Sequence, residues 1–210
     1  MKTKKTNIWK IREEILFSYY TREEIQGFID KLYSFSMIYQ MISKSNILIF
    51  LAKIAEMYPI GVVKYAPGTF ASFIAVILGF NLIISLGILN FLFITCSIIL
   101  LGYFFCEIHI KVYKKKDPKE IVIDEFGGQF IVLFATIQSE NMFYNYSSLT
   151  LSFLLFRFFD ITKIGPIKKF ESLPGGLGIM ADDVTAGLCG FLVQCAILTS
   201  LNQQILIKTL

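Results

Sequence analysis

Long runs without charged residues alternate with short charged clusters along the chain. Four runs that contain no Asp, Glu, Lys or Arg cover residues 65–106, 126–139, 141–156 and 184–207. A helix needs about 20 mainly apolar residues to cross the hydrocarbon core of a bilayer. The first run has 42 residues, so it predicts two crossings with a turn near residues 87–90. The last run predicts one crossing, and the two middle runs predict a shorter pair.

This pattern predicts an all-α fold, a polytopic helical membrane bundle of about five apolar helices. The predicted crossings cover residues 71–89, 91–106, 126–137, 146–159 and 184–207. Residues 1–45 mix charged and apolar residues at helical spacing, and Thr21 and Glu24 are spaced as a capping box. They predict an N-terminal amphipathic helical extension of unknown role, followed by a helical membrane domain over residues 46–210.

Composition supports the membrane interpretation, and the distribution of charge predicts an orientation. The chain is 55% hydrophobic and 17% charged, with a mean hydropathy of +0.62, which leaves too little charge to cover a soluble domain. Ten of the 20 Lys and Arg residues lie in residues 1–64, and segments 85–90 and 139–147 have none. Because cytoplasmic loops are enriched in Lys and Arg, the N-terminus and the charged segments 107–125 and 157–183 are predicted to be cytoplasmic.

A first acidic cluster lies in the stretch "DPKEIVIDEFGG", residues 117–128. Glu120 and Asp124 are four residues apart and are predicted to share a helix face, with Asp117 as the helix cap. Like charges at this spacing repel each other, and Glu125 adds a third carboxylate. A divalent cation would relieve the repulsion, and magnesium is the hard, oxygen-seeking ion that carboxylates and phosphates bind. The alternative is a solvated helix end.

Two further clusters are predicted to reach the same face of the membrane. Arg157, Asp160 and Lys163 recur at intervals of three beneath the fourth crossing, where they would form either an ion-pair ladder or a phosphate and metal site. Asp182 and Asp183 follow a glycine-rich stretch that predicts a flexible turn. They are predicted to lie in the first turn of the last helix, either as N-terminal caps or as metal ligands.

The absence of several motifs excludes some mechanisms of phosphate hydrolysis. The sequence has no Cys-x5-Arg loop and no Asp-x-Asp signature of an aspartyl-phosphate enzyme. The one histidine, His109, is next to charged residues and is expected to be solvated, and the four cysteines are expected to be packing residues. Water attacking a metal-bound phosphate, with a carboxylate as the base, is the remaining route.

At these residues the sequence resembles the phosphatidylglycerophosphatase A family of bacterial membrane phosphatases. Four blocks match in order over roughly residues 55–207: "PGTFAS", "DPKEIVIDEFGG", "FRFFDITKIGPI" and "GGLGIMADDVTAG". The chain departs from the family at Pro174, where many members have His, and in "KIGP", where many have Lys-Pro-x-Pro. These departures affect loop geometry more than the acids.

The resemblance implies magnesium-dependent conversion of phosphatidylglycerophosphate to phosphatidylglycerol, in phospholipid biosynthesis, at the cytoplasmic face of the inner membrane. A phospholipid substrate and membrane lipid are the implied partners, with no nucleic acid. By position, the implied catalytic residues are Asp183, Asp160 and Asp182, and the implied substrate-binding residues are Arg157, Lys163 and Thr69. The implied metal ligands are Asp124, Glu125, Asp160, Asp182 and Asp183.

Two other classes of membrane protein place acids at a membrane face. A CDP-alcohol phosphotransferase needs a D-x2-D-G-x2-A-R pattern, which this chain lacks. A divalent-cation transporter remains an alternative, although it predicts acids within the crossings rather than at one end. A phosphatase that acts on another lipid phosphate is the other alternative.

Overall fold

The structure is a computed structural model that describes residues 23, 27, 30, 31, 44–115, 118–136 and 142–208. Residues Met1–Ile47 and Leu48–Leu210 form two compact units. The predicted capping box at Thr21 and Glu24, and most of the predicted amphipathic extension, lie outside the described residues.

All regular elements of the described residues are helices. A helical segment over residues 44–55 (α1) is followed by a 3-10 turn at Ile60–Val62. The remaining helices are α2 at Pro67–Leu86, α3 at Ile88–Tyr113, α4 at Ile123–Leu133, α5 at Met142–Thr162, α6 at Ile167–Glu171 and α7 at Gly175–Lys208. The all-α prediction is confirmed for this part of the chain.

Three of the described helices are long and apolar enough to cross a membrane, namely Pro67–Leu86, Ile88–Tyr113 and Gly175–Leu201. They coincide with the first, second and fifth predicted crossings, and the predicted turn near residue 87 is confirmed. Gly87 separates α2 from α3 with φ of 80°, a left-handed conformation that glycine adopts without steric cost. These spans are consistent with a membrane protein.

The other two predicted crossings are not among these spans. Helix α4 has 11 residues, so at 1.5 Å per residue it is about 16 Å long, roughly half the thickness of the hydrocarbon core. Helix α5 has 21 residues but carries Asn, Ser, Thr and Tyr side chains that lower its hydropathy. The total of five apolar helices is therefore not confirmed.

The short helix α4 is the centre of the fold. It packs against α2, α3, α5 and α7, and eight of its 11 residues are buried. Phe126, Phe130 and Leu133 belong to the largest apolar core cluster. Glycines allow the closest approach, because a Cβ on Gly187 of α7 would meet the backbone of Gly128 in α4. The packing of α4 against α7 places their acidic residues close together.

Candidate active site

One cavity of about 780 Å³ contains all the site residues implied by the sequence. It lies where α2 and α7 begin, where α5 ends and where residues 118–125 lead into α4. The implied site residues that line it are Thr69, Asp124, Glu125, Arg157, Asp160, Lys163, Asp182 and Asp183. Residues separated by more than 100 positions in the chain therefore share one site at one end of the candidate spans.

Three of the acids form the inner part of the site. Asp124, Glu125 and Asp183 each offer a carboxylate oxygen, and these oxygens lie within 4.8 Å of one another. Asp183 is 3% exposed, and the buried Oε2 atom of Glu125 has no hydrogen-bond partner among the described residues. Burial, followed by the charge of neighbouring acids, raises the pKa of Asp124 well above its ordinary range and that of Glu125 to about 8. A close set of hard oxygen donors with an unpartnered buried atom fits a divalent cation.

The other two acids are paired with basic side chains. Arg157 Nη1 lies 2.5 Å from Asp160 Oδ2, and Lys163 Nζ lies 3.1 Å from Asp160 Oδ1. Lys163 Nζ also lies 2.5 Å from Asp182 Oδ2 and 3.8 Å from Asp183 Oδ1. Burial alone lowers the pKa of Lys163, but Asp183, Asp182 and Asp160 together raise it above its ordinary value. Its ammonium group is therefore charged.

The two cations are placed at the cavity by the end of α5. Arg157 and Asp160 lie one turn apart on the helix, as predicted, whereas Lys163 follows the last helical residue with φ of 48°. The buried Nε of Arg157 has no partner in the described part of the chain. This free donor, together with the Lys163 ammonium, suits an anionic ligand such as a phosphate.

The prediction that Asp182 and Asp183 begin the last helix is wrong. Helix α7 begins at Gly175, so Asp183 is two turns inside it. The predicted flexible turn is instead the start of the helix, in which Gly175 has φ of 65° and Gly178 packs against the carbonyl oxygen of Leu173. A capping role for the aspartate pair is therefore excluded.

The prediction that Glu120 and Asp124 share one face of a helix is also wrong. Helix α4 begins at Ile123, and Glu120 lies in the preceding turn, where its Oε1 is 2.5 Å from Lys115 Nζ. A hydrogen bond from Lys115 lowers the pKa of Glu120, in contrast to the raised pKa of Asp124. The predicted cap, Asp117, lies outside the described residues.

The "PGTFAS" block, residues 67–72, contributes small residues to the site in addition to Thr69. Thr69 lines the cavity, but it does not cap α2, which begins at Pro67 without a side-chain cap. A Cβ on Gly68 would collide with Glu125 Oε1. Ser72 lies 3.5 Å from Arg157 Nη1. Sequence reasoning missed Gly68 and Ser72, although their spacing of four in an apolar helix is the signal of a close helix contact.

His109 is buried rather than solvated, so that prediction is wrong. Its side chain is 2% exposed and its Nε2 lies 3.2 Å from Glu56 Oε1, while Glu56 also pairs with Lys53 at 2.8 Å. None of these residues lines the cavity. Of the cysteines, Cys106 is buried and Cys96 is exposed, so a packing role fits Cys106 but not Cys96.

Known proteins resemble this chain over the segment that contains the cavity residues. Residues 53–198 match the family model of Phosphatidylglycerophosphatase A. A Haemophilus influenzae protein named Phosphatidylglycerophosphatase A is 42% identical over 138 residues, which cover 65% of this chain and 82% of the relative. A Bacteroides thetaiotaomicron protein named "Putative phosphatidylinositol-3-phosphatase" is 32% identical over 136 residues, covering 63% and 84% of the two chains.

A third relative resembles a shorter part of the chain. An Escherichia coli protein named Phosphatidylglycerophosphatase A is 34% identical over 91 residues, covering 43% of this chain and 50% of the relative. No solved structure matches. The family model covers more than half of the chain and includes all the site residues. The chain therefore belongs to the phosphatidylglycerophosphatase A family and is a lipid phosphatase.

Proposed function

We propose that the chain removes the terminal phosphate of phosphatidylglycerophosphate and so produces phosphatidylglycerol in phospholipid biosynthesis. The observation that carries this proposal is the grouping of three carboxylate oxygens within 4.8 Å in a cavity that also holds Arg157 and Lys163. The name of the Haemophilus influenzae relative supports this particular lipid as the substrate.

The proposed cofactor is magnesium. Asp124, Glu125 and Asp183 would hold it, because their carboxylates are close together and Glu125 has a buried oxygen without a partner. When bound, magnesium neutralises charge on a phosphate group and lowers the pKa of a bound water molecule. Asp160 and Asp182 are less suited to direct binding, since both are paired with basic side chains.

The chain's own residues would bind the phosphate and transfer the protons. Arg157 and Lys163 donate hydrogen bonds to phosphate oxygens, and Asp160 orients both cations. Asp183 or Asp160 accepts a proton from the attacking water as its oxygen bonds to phosphorus. The bond from phosphorus to the glycerol oxygen breaks, and that oxygen takes a proton from water and leaves as the hydroxyl of phosphatidylglycerol, while the carboxylate returns its proton to solvent. Thr69 lines the same cavity and offers a hydroxyl to the headgroup.

The proposed location is the cytoplasmic membrane, with the cavity on the cytoplasmic side. The cavity lies at the end of the spans that carries the charged segments around residues 107–125 and 157–183. Lys and Arg are enriched on the cytoplasmic side of membrane proteins. A headgroup could then enter the cavity while the acyl chains remain in the bilayer.

The test is release of inorganic phosphate from phosphatidylglycerophosphate in detergent micelles, first with magnesium and then with EDTA. Release is expected with magnesium, and EDTA is expected to abolish it. Asp183→Asn keeps the shape of the side chain but removes its charge, and is expected to lose turnover while remaining folded. Glu120→Gln is the matched control, because it makes the same chemical change outside the cavity. Near-parental release by Asp183→Asn would overturn the proposed site.

A second substrate is favoured by one specific observation. The name of the Bacteroides thetaiotaomicron relative specifies a phosphoinositide phosphate, which is also a lipid phosphomonoester. Phosphatidylinositol 3-phosphate in the same micelle assay decides between the two lipids by their values of kcat/KM. Magnesium flux into vesicles, without phosphate release from either lipid, would instead support the divalent-cation transporter.

A further inference from the structure

A carboxylate outside the cavity is bonded to the helix that carries Asp183. Glu107, on α3, accepts a hydrogen bond from the backbone N–H of Gly176 at 2.7 Å through its Oε1. Gly176 is the second residue of α7, and the first four N–H groups of a helix have no partner within the helix. The Glu107 side chain is 27% exposed, and its Oε2 lies 3.9 Å from Lys111 Nζ. Glu107 does not line the cavity.

Two glycines bring the start of α7 against α3. A Cβ on Gly175 would collide with Oε1 of Glu107. A Cβ on Gly176 would lie 2.9 Å from the backbone N of Glu107 and 2.9 Å from the carbonyl oxygen of Tyr103, which is closer than real Cβ contacts. The start of α7 therefore lies in backbone contact with α3. The hydrogen bond from Gly176 to Glu107 limits both the sliding of α7 along its own axis and its rotation about that axis.

The position of this contact determines where Asp183 lies. Gly176 and Asp183 are seven residues apart, which is close to two helical turns, so they lie on nearly the same face and about 10 Å apart along the axis. Four residues beyond Asp183, Gly187 packs against Gly128 of α4. Asp183 thus lies between two points at which α7 is held, one by α3 and one by the helix that carries Asp124 and Glu125.

We propose that Glu107 is a positioning residue for the acidic site. Its hydrogen bond to Gly176 holds Asp183 at the distance from Asp124 and Glu125 at which the three carboxylates bind one cation. This inference rests on the proposed function, since it concerns the same cation site. A residue that only stabilised the helix end would change the melting temperature and leave cation affinity and kcat unchanged in the folded protein.

The test uses the full chain in detergent micelles and compares Glu107→Ala, Glu107→Gln and Lys111→Ala. Mn²⁺ affinity is measured by electron paramagnetic resonance, and kcat and KM are measured by phosphate release. Loss of a residue that orients a ligand costs about 10- to 100-fold in metal affinity or activity, and a loss of this size is expected for Glu107→Ala in both Mn²⁺ affinity and kcat. The Gln carbonyl can still accept the bond, so Glu107→Gln is expected to stay within a few-fold of the parent. Lys111→Ala is expected to match the parent.

Two outcomes would overturn the inference. One is a folded Glu107→Ala protein with parental Mn²⁺ affinity and kcat, and the other is a Glu107→Gln protein as impaired as Glu107→Ala. If Glu107→Ala does not fold, Glu107→Asp replaces it, because it keeps the charge but withdraws the oxygen by about 1.5 Å, and the same loss is expected. A parent protein that binds Mn²⁺ without releasing phosphate contradicts the proposed function, while the Mn²⁺ measurements still decide the role of Glu107.

Discussion

Lys163 is the cation that the acids of the site surround most closely. Its Nζ contacts Asp160, Asp182 and Asp183, so it offsets part of the negative charge of the site, and under the proposed function it also binds the phosphate. Hydrogen bonds to charged groups contribute about 1.5–3 kcal/mol. We therefore expect Lys163→Ala to lower kcat/KM for phosphate release by about 10- to 100-fold.

The matched control for this change is Lys168→Ala, which removes the same side chain from an exposed position outside the cavity. It is expected to leave kcat/KM within about two-fold of the parent, because a solvated charge contributes little. Equal activity of the two variants would show that Lys163 is a structural counterion and does not bind substrate.

The buried carboxyl group of Glu125 is expected to make the metal-free protein less stable as pH rises. Burial and the charge of Asp183 raise its pKa from 4.5 to about 8. Between these values the unfolded chain releases a proton that the folded chain retains, so stability falls as pH rises from about 4.5 to about 8. In EDTA, Glu125→Gln is expected to raise the melting temperature at pH 8, with a gain that shrinks as pH approaches 4.5.

The control for the pH experiment is Glu120→Gln, for which the opposite sign is expected. The pKa of Glu120 is lowered by its hydrogen bond to Lys115, so its charge stabilises the folded state above its ordinary pKa. Glu120→Gln should therefore lower the melting temperature slightly at neutral pH. A melting temperature of Glu125→Gln that does not exceed that of the parent at pH 8 in EDTA would contradict the expected effect of burial.

Sequence reasoning identified the charged residues of the site but not what surrounds them. Asp124, Arg157 and Asp183 attract notice because charge is scarce in an apolar chain, and their convergence in one cavity follows the prediction that all three clusters reach one membrane face. Glu107 and His109 looked like ordinary loop charges. Their pairing with Gly176 and Glu56 depends on contacts over 53 or more positions, which no local pattern encodes.

At the scale of elements, the crossing of α4 and α7 determines the geometry of the acids. A Cβ on Gly187 would meet the backbone of Gly128, including its Cα at 3.0 Å. Backbone cannot rotate away as a side chain can, so Gly187→Ala must push the two helices apart and separate Asp183 from Asp124 and Glu125. We expect at least a 10-fold loss of Mn²⁺ affinity together with loss of phosphate release, in line with the cost of displacing a metal ligand.

Gly190→Ala is the matched control one turn further along α7. Its added Cβ would meet the Val132 side chain at 3.0 Å, and a side chain can adjust by the few tenths of an ångström needed. Retained Mn²⁺ affinity in Gly190→Ala and a loss in Gly187→Ala would locate the constraint at the Gly128 crossing. Equal behaviour of the two variants would contradict it.

Element boundaries near the site were the least predictable part of the fold. Glycines usually interrupt helices, so Gly175, Gly176 and Gly178 predicted a turn, and the last helix was expected to begin at the aspartates. In the structure Gly176 and Gly178 are helical and lie against neighbouring backbone, and Gly175 begins the helix with φ of 65° against the Glu107 side chain. This tertiary contact outweighs their low helix propensity, which is why the start of α7 was predicted several residues too late.

At the scale of the whole molecule, hydropathy predicted the spans well and the buried helix poorly. Helices α2, α3 and α7 are long and apolar enough to cross a membrane, so a continuous apolar run identifies them. Helix α4 also belongs to a charge-free run, from Phe126 onwards, but it is surrounded by protein. Hydropathy reports the absence of charge and does not show whether a helix lies against lipid or against protein. Because both surroundings give the same signal, α4 was predicted as a crossing.

The orientation of the whole molecule gives the last prediction, because the proposed function requires the cavity to lie on the side of the membrane where the substrate is made. Ser172 is exposed and lines the cavity, whereas Ser85 is exposed at the opposite end of α2. In a chain whose four native cysteines are replaced, Ser172→Cys is expected to react with a membrane-impermeant maleimide in inverted vesicles, and Ser85→Cys in right-side-out vesicles. The reverse pattern would place the cavity outside the cytoplasm and contradict the positive-inside argument. It would leave the geometry of the site unchanged but require a substrate presented from the other leaflet.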